Sequence, residues 1–290
     1  MQMKKKHLTE QVIHGLFLML GLITVGVVIL ITGYLTASGI HALREIGISE
    51  FLLGNVWAST AEDPKYGIKP FILTSMYGTI GAVLLGVPFA FLGAVYLSKM
   101  APPEVKAVLE FTVGILAGIP SVVYGLAGML LLIPGIRKAF GVPDGTGLMA
   151  AIIVLAVMIL PSVIKMSVTA LDAVPKEYED ASLALGATPV ETYFRVSVPA
   201  ARSGIAAAVV LGVGRAVGEA MAVMMVAGNV PNIPDSLFQS VRFLTTAISS
   251  EMAYSSGLQR EALFSIALVL FLFIMSINGV LNLLLKGERR

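Results

Sequence analysis

Six apolar runs, each long enough to cross a bilayer as a helix, dominate this 290-residue chain: about 12–36, 70–97, 107–134, 147–171, 203–228 and 261–285. A hydrocarbon core of about 30 Å takes about 20 mostly apolar residues in helical form. Inside lipid the backbone must satisfy its own hydrogen bonds, so runs of this length are read as helices. Only 13% of the residues are charged, about half the share of an ordinary soluble domain, roughly 25%. The first run follows Lys4, Lys5 and Lys6 but is too long for the apolar stretch of a secretory signal, and reads as an uncleaved anchor. The expectation is an all-α integral membrane protein with one transmembrane domain over 12–290, a short segment 1–11 before it, and no internal repeat.

The distribution of Lys and Arg gives an orientation. With the amino terminus in the cytoplasm, the inside segments hold eleven of them: Lys4, Lys5, Lys6, Lys99, Lys106, Lys176, Arg195, Arg202, Lys286, Arg289 and Arg290. The outside segments hold seven: Arg44, Lys65, Lys69, Arg137, Lys138, Arg242 and Arg260. That excess puts both termini inside, as an even number of spans requires.

Several functional classes lack their residues. There is no cysteine, hence no disulfide framework and no thiolate metal site. His7, His14 and His41 stand apart, which argues against a metal centre. The glycines at 212, 214 and 218 do not have dinucleotide-binding spacing and follow no strand. Those at 214 and 218 are expected to let helices pack closely. No phosphate-cradling loop or nucleophile–base pair is found, so no catalysis and no bound cofactor are expected. A net charge of +2 argues for no nucleic acid.

Two outside stretches, 38–69 with Trp57 and Tyr66 and 229–260 with a short helix near 236–249, suit the membrane interface or a docking partner. The inside stretch 172–202 is far more polar than its surroundings. Residues 176–185 favour a helix that Gly186 can end in a left-handed cap. Pro189 suits the first turn of a second short helix, and Pro199 ends it. From the pattern alone this is either an amphipathic connector or a docking element.

Within that stretch, Asp180-Ala181-Ser182, then Gly186, then Val196-Ser197-Val198-Pro199 resembles the EAA loop of ABC importer permeases. The family pattern is Glu-Ala-Ala, three residues, Gly, nine residues and Ile-x-Leu-Pro. The spacing here matches throughout, with Asp180, Ser182, Val196 and Val198 as departures; Glu179 supplies the acidic position only with a shift of one residue. Gly118-Ile119-Pro120-Ser121-Val122-Val123-Tyr124-Gly125 and Gly218-Glu219-Ala220-Met221-Ala222-Val223 resemble phosphate-specific members. Of these the PstC type is the most similar and the PstA type the alternative, helped by 66–72 and by Phe243-Leu244-Thr245-Thr246-Ala247-Ile248.

The resemblance implies a six-helix type I importer permease in the cell inner membrane. Its implied partners are a second permease subunit (PstA-like), a dimer of ATP-binding subunits (PstB-like) that use ATP and Mg, and an extracytoplasmic phosphate-binding protein. The 172–202 stretch would be the coupling loop that docks on the ATPase.

Charges inside the spans need separate reasons, because an ionised group at membrane depth is costly. Arg215 and Glu219 lie four apart in the fifth run, on one face if the helix is continuous and within pairing reach. They read either as a cation on an anion path held by its carboxylate between turnovers, or as a buried pair that sets helix register. Gly118, Pro120 and Ser121 mark either a break that exposes backbone near the path or a plain proline kink. Lys165 is expected to snorkel to the cytoplasmic surface. Importers of molybdate, tungstate or phosphonate stay open as alternatives. So does a secondary transporter using Arg215 and Glu219 for proton chemistry, although it has no need of an ATPase-docking loop.

Overall fold

In the computed structural model of the chain, which describes residues 2–287, helices make up most of the structure. Arg289 and Arg290, counted above, lie outside the described residues, as do the side chains of Lys4, Lys5, Lys6 and Lys286. The order is α1 (Gln2–Ile46), α2 (Ile48–Leu53), β1 (Trp57–Ala58), β2 (Lys65–Tyr66), α3 (Lys69–Val95), α4 (Pro103–Gly118), α5 (Ser121–Ala127), α6 (Ile133–Phe140) and α7 (Leu148–Asp172). It continues with α8 (Lys176–Ala184), α9 (Pro189–Thr192), α10 (Val198–Ala200), α11 (Arg202–Gly218), α12 (Met221–Val226), α13 (Leu244–Glu251) and α14 (Gly257–Gly287). Wider π-helical turns, Tyr96–Met100, Gly128–Leu132 and Tyr193–Ser197, extend α3 and join α5 to α6 and α9 to α10.

Among the described residues, five helical stretches are long and apolar enough to cross a membrane, and a sixth arises if the bent pair Pro189–Ala200 and Arg202–Gly218 is one span. The third and fifth apolar runs are not single helices. The third breaks at Ile119–Pro120. The fifth stops at Gly218 and restarts at Met221, with Glu219 extended at φ −74°, ψ 128°.

Helix α7 is central and packs on α3, α4 and α11. Its apolar positions meet α3, α6 and α12 in a core that includes Ala82, Ile133, Val154, Met158 and Val226. At one end Ala94, Leu97, Leu171, Val174 and Ala201 join the ends of α3 and α7 to the start of α11. At the other, Ala42, Phe51, Phe71, Leu244 and Leu263 join α1, α2, α3, α13 and α14.

Trp57 and Tyr66 belong to that last cluster rather than to an exposed docking surface. They face each other across the β1–β2 pairing, both buried, with ring centroids 5.6 Å apart. The Glu251 carboxylate draws this corner together by accepting hydrogen bonds from Trp57 Nε1, Ser59, Gln259 and Arg242.

Of the three glycines at 212, 214 and 218, Gly212 is the one packed against α7. A Cβ at 212 would lie 2.7 Å from Val163 Cγ2, whereas nothing stands within 4 Å of a Cβ at 214 or 218. Val163 is buried and β-branched, with one strongly preferred rotamer in a helix, so it cannot readily retreat. Gly212→Ala is therefore expected to destabilise the bundle by about 1–3 kcal/mol through overpacking. Gly214→Ala should be neutral or stabilising by up to about 1 kcal/mol from helix propensity. Thermal unfolding of the two variants in detergent would separate them, and equal midpoints would refute this packing assignment.

Candidate functional site

Two features organise the site: a point where both broken helices meet, and a polar arm between α7 and α11. The three sequence stretches 118–125, 218–223 and 243–248 converge at the first. Helix α5 packs on α12 so closely that a Cβ on Gly125 would lie 2.9 Å from Ala222 Cα. Across the first break, the Tyr124 hydroxyl donates to the Leu116 carbonyl at 2.8 Å. At the second, Thr245 Oγ1 donates to the Glu219 carbonyl at 2.8 Å, occupying an acceptor freed by the end of α11. The Leu244 amide, at the start of α13, donates to Ser75 Oγ on α3 at 3.0 Å.

Arg215 and Glu219 do not pair. Because α11 ends at Gly218, the i,i+4 geometry is lost, and neither the path pair nor the register-setting pair exists in this structure. The Glu219 carboxylate instead accepts from the Ala222 amide at 3.0 Å and caps the restarted helix α12. That is a favourable place for a negative charge, next to unsatisfied amides. Arg215 is half-buried, and NH1 donates to Ser162 Oγ at 2.8 Å. Among the described residues the guanidinium forms this one hydrogen bond and no ion pair, and Tyr124 lies within its electrostatic range. A guanidinium carries five N–H donors, so most are left without a protein acceptor. Ser162, Tyr124 and Thr245 complete the site. Ser162 was not singled out from sequence, and its signal was a polar side chain directly after Pro161 in an apolar run.

The arm is built from residues 172–202. Helix α8 ends in a Schellman motif: the Gly186 amide bonds Leu183 O at 2.9 Å, the Ala187 amide bonds Ser182 O at 3.3 Å, and Gly186 sits at φ +89°. Thr188 and Glu191 form a capping box that starts α9. Ser182 and Thr192 hydroxyls, 2.9 Å apart, tie the two helices together. Asp180, Ala181 and Pro199 are exposed, Val196 and Val198 are half-buried, and the helix runs one residue past Pro199 to Ala200. Tyr178, Leu183, Leu185, Val190 and Phe194 present apolar side chains outward, with Leu185 90% exposed.

Glu179, not Asp180, anchors the arm to the bundle. Its carboxylate lies 2.7 Å from Lys99 Nζ, at the end of the α3 extension, and accepts from Ser197 Oγ at 2.8 Å. Burial pushes the Glu179 carboxyl up, but the bonds from Lys99 and Ser197 outweigh it and hold it below the usual carboxylate range. A depressed pKa contributes stability that is complete above the unfolded value, near 4.5, and is lost as pH falls through the lower folded value. The arm's attachment should thus be constant from about pH 6 to 8 and loosen only in acid below about 4.5. Amide exchange of 172–202 against pH checks this, and loosening near pH 6.5 would contradict it.

Residues 82–290 match the family of binding-protein-dependent transport system inner membrane components. This chain belongs to that family. The permease is 40% identical over 265 residues to "Probable ABC transporter permease protein YqgH" of Bacillus subtilis, covering 89% of this chain and 86% of that one. It is 33% identical to "Phosphate transport system permease protein PstC" of Haemophilus influenzae, covering 80% and 78%. To "Probable phosphate transport system permease protein PstC" of Methanocaldococcus jannaschii it is 30% identical, covering 86% and 85%. A solved structure of the MetNI methionine ABC transporter shares the fold, with a TM-score of 0.57 at 21% identity over 77% of the permease and 95% of that chain. The permease is thus a multi-pass inner-membrane subunit of an ABC importer. It is not itself an enzyme, and it works with a second permease and with ATPase subunits.

Proposed function

We propose that this permease imports inorganic phosphate, with Arg215 as the cation on the path and the 172–202 arm as the element that docks on the ATPase. The observation that carries the reading is a guanidinium in an apolar helix, three residues before that helix breaks, that is joined to no carboxylate and has Tyr124 of the other broken helix in its electrostatic range. Such a charge is costly without a ligand to meet it, and its planar fork matches the oxygens of a tetrahedral oxyanion. Broken helices near mid-membrane are the usual place for a transporter's substrate site. The PstC names of two relatives support phosphate over other oxyanions.

In this reading both termini and the arm face the cytoplasm, the Glu251 corner faces outward toward a phosphate-binding protein, and the other subunits are a PstA-like permease and two PstB-like ATPases. The test is uptake of labelled phosphate by the reconstituted complex, with molybdate, tungstate and phosphonate in parallel. Uptake of one of those in place of phosphate would overturn the substrate. The same preparation tests the arm. Gly186→Pro forces a negative φ where +89° is needed, and Asp180→Lys reverses an exposed charge. Either should insert normally yet lose most phosphate-stimulated ATP hydrolysis, whereas normal stimulation would count against the docking role.

A further inference from the structure

Between α4 and α7 lies a cavity of about 300 Å³ lined by Leu97, Glu110, Gly114, Lys165, Thr169 and Asp172, among others. That is many times the roughly 10–15 Å³ a single water needs. Lys165 does not pair with either carboxylate. Lys106 takes both, with Nζ 3.3 Å from Asp172 and 3.8 Å from Glu110, and Ser98 also donates to Asp172. Among the described residues the Lys165 ammonium forms no ion pair. It is exposed, and it is the cation lining this cavity that has no carboxylate partner among the described residues.

Its position continues the Arg215 site. Ser162, which holds Arg215, is followed on α7 by Lys165, Thr169 and Asp172 at spacings of three, four and three. At 3.6 residues per turn these four fall within roughly 80° of arc and span about 15 Å of rise, half of a hydrocarbon core of about 30 Å. A polar stripe thus runs from the guanidinium to the end of α7 that carries the arm, with Lys165 about 4.5 Å of rise beyond Ser162.

We infer that Lys165 and this cavity form a second oxyanion station, which takes the anion from Arg215 and passes it to the cytoplasm. This rests on the import reading above. The station is shallow by construction: two carboxylates and two lysines balance around it, so the anion is met by one ammonium but not trapped. Transit needs a site that can be left as well as entered.

The experiment is uptake of labelled phosphate per assembled, reconstituted complex. Lys165→Gln should lower the maximal rate about tenfold, and Lys165→Arg should stay within about twofold of wild type. The chain has no cysteine of its own, which permits a chemical rescue. In Lys165→Cys, a thiosulfonate that attaches an ethylammonium group should restore uptake and one that attaches an ethyl group should not, with Lys165→Gln treated alike as control. A lysine that only snorkels to the surface would change the yield of complex but not uptake per complex, and that result overturns the station. Wild-type uptake with an Arg215→Gln defect and a normal Lys165→Gln rate removes this inference alone. No oxyanion uptake by the wild-type complex removes the import reading first.

Discussion

Arg215→Gln is expected to abolish nearly all phosphate uptake, by about 100-fold, with assembled complex close to wild-type levels. The size follows from losing hydrogen bonds to a charged ligand, worth about 1.5–3 kcal/mol, at a factor of ten per 1.4 kcal/mol. The unimpaired assembly follows from the geometry. Glu219 does not depend on Arg215, so no carboxylate is stranded, and Ser162 loses one bond. Arg215→Lys keeps the charge without the fork and should recover part of the rate. Glu219→Gln retains an oxygen for the Ala222 amide and should be mild. The two sites share no contact, so the double variant should equal the sum of the singles within about 0.5 kcal/mol. A coupling above about 1 kcal/mol would mean that the helix is continuous through residue 219 and the two groups pair after all.

Lys99→Met should uncouple the arm. Lys99 and Glu179 side chains are 11% and 17% exposed, so removing the ammonium leaves a carboxylate in a poor environment with Ser197 as its remaining hydrogen-bond partner and Lys176 as a more distant charge. The loss is about 1–3 kcal/mol of local stability, below the roughly 3–5 kcal/mol of a fully buried pair. It should appear as faster amide exchange in 172–202 and a large fall in phosphate-stimulated ATP hydrolysis. The double variant Lys99→Met with Glu179→Met removes both charges and should regain much of the arm's order. A double variant no better ordered than the single would show that the pair holds nothing in place.

Hydropathy and proline spacing made the spans and the arm readable, because both depend on local pattern. Gly186 announced its left-handed cap in the same way. The second break did not announce itself. Gly218-Glu219-Ala220-Met221 contains no proline and continues the apolar run, and what ends α11 there is tertiary: Thr245 takes the Glu219 carbonyl and α12 presses against Gly125. Once the helix stops, the four-residue spacing of Arg215 and Glu219 carries no meaning. The Glu251 corner was equally hidden, since its partners Trp57 and Ser59 come from more than 190 positions away.

The bend between the arm and α11 has a mechanical consequence. Pro189–Ala200 and Arg202–Gly218 meet at 72°, with buried Ala201 at the junction. At about 1.5 Å per residue one limb is about 18 Å long, and the stretch from Arg202 to Arg215 is about 20 Å. This is a bell crank with nearly equal throws. In the proposed reading it turns the direction of a stroke and leaves its length almost unchanged, so an ATPase docked on the arm would travel about as far as it moves Arg215.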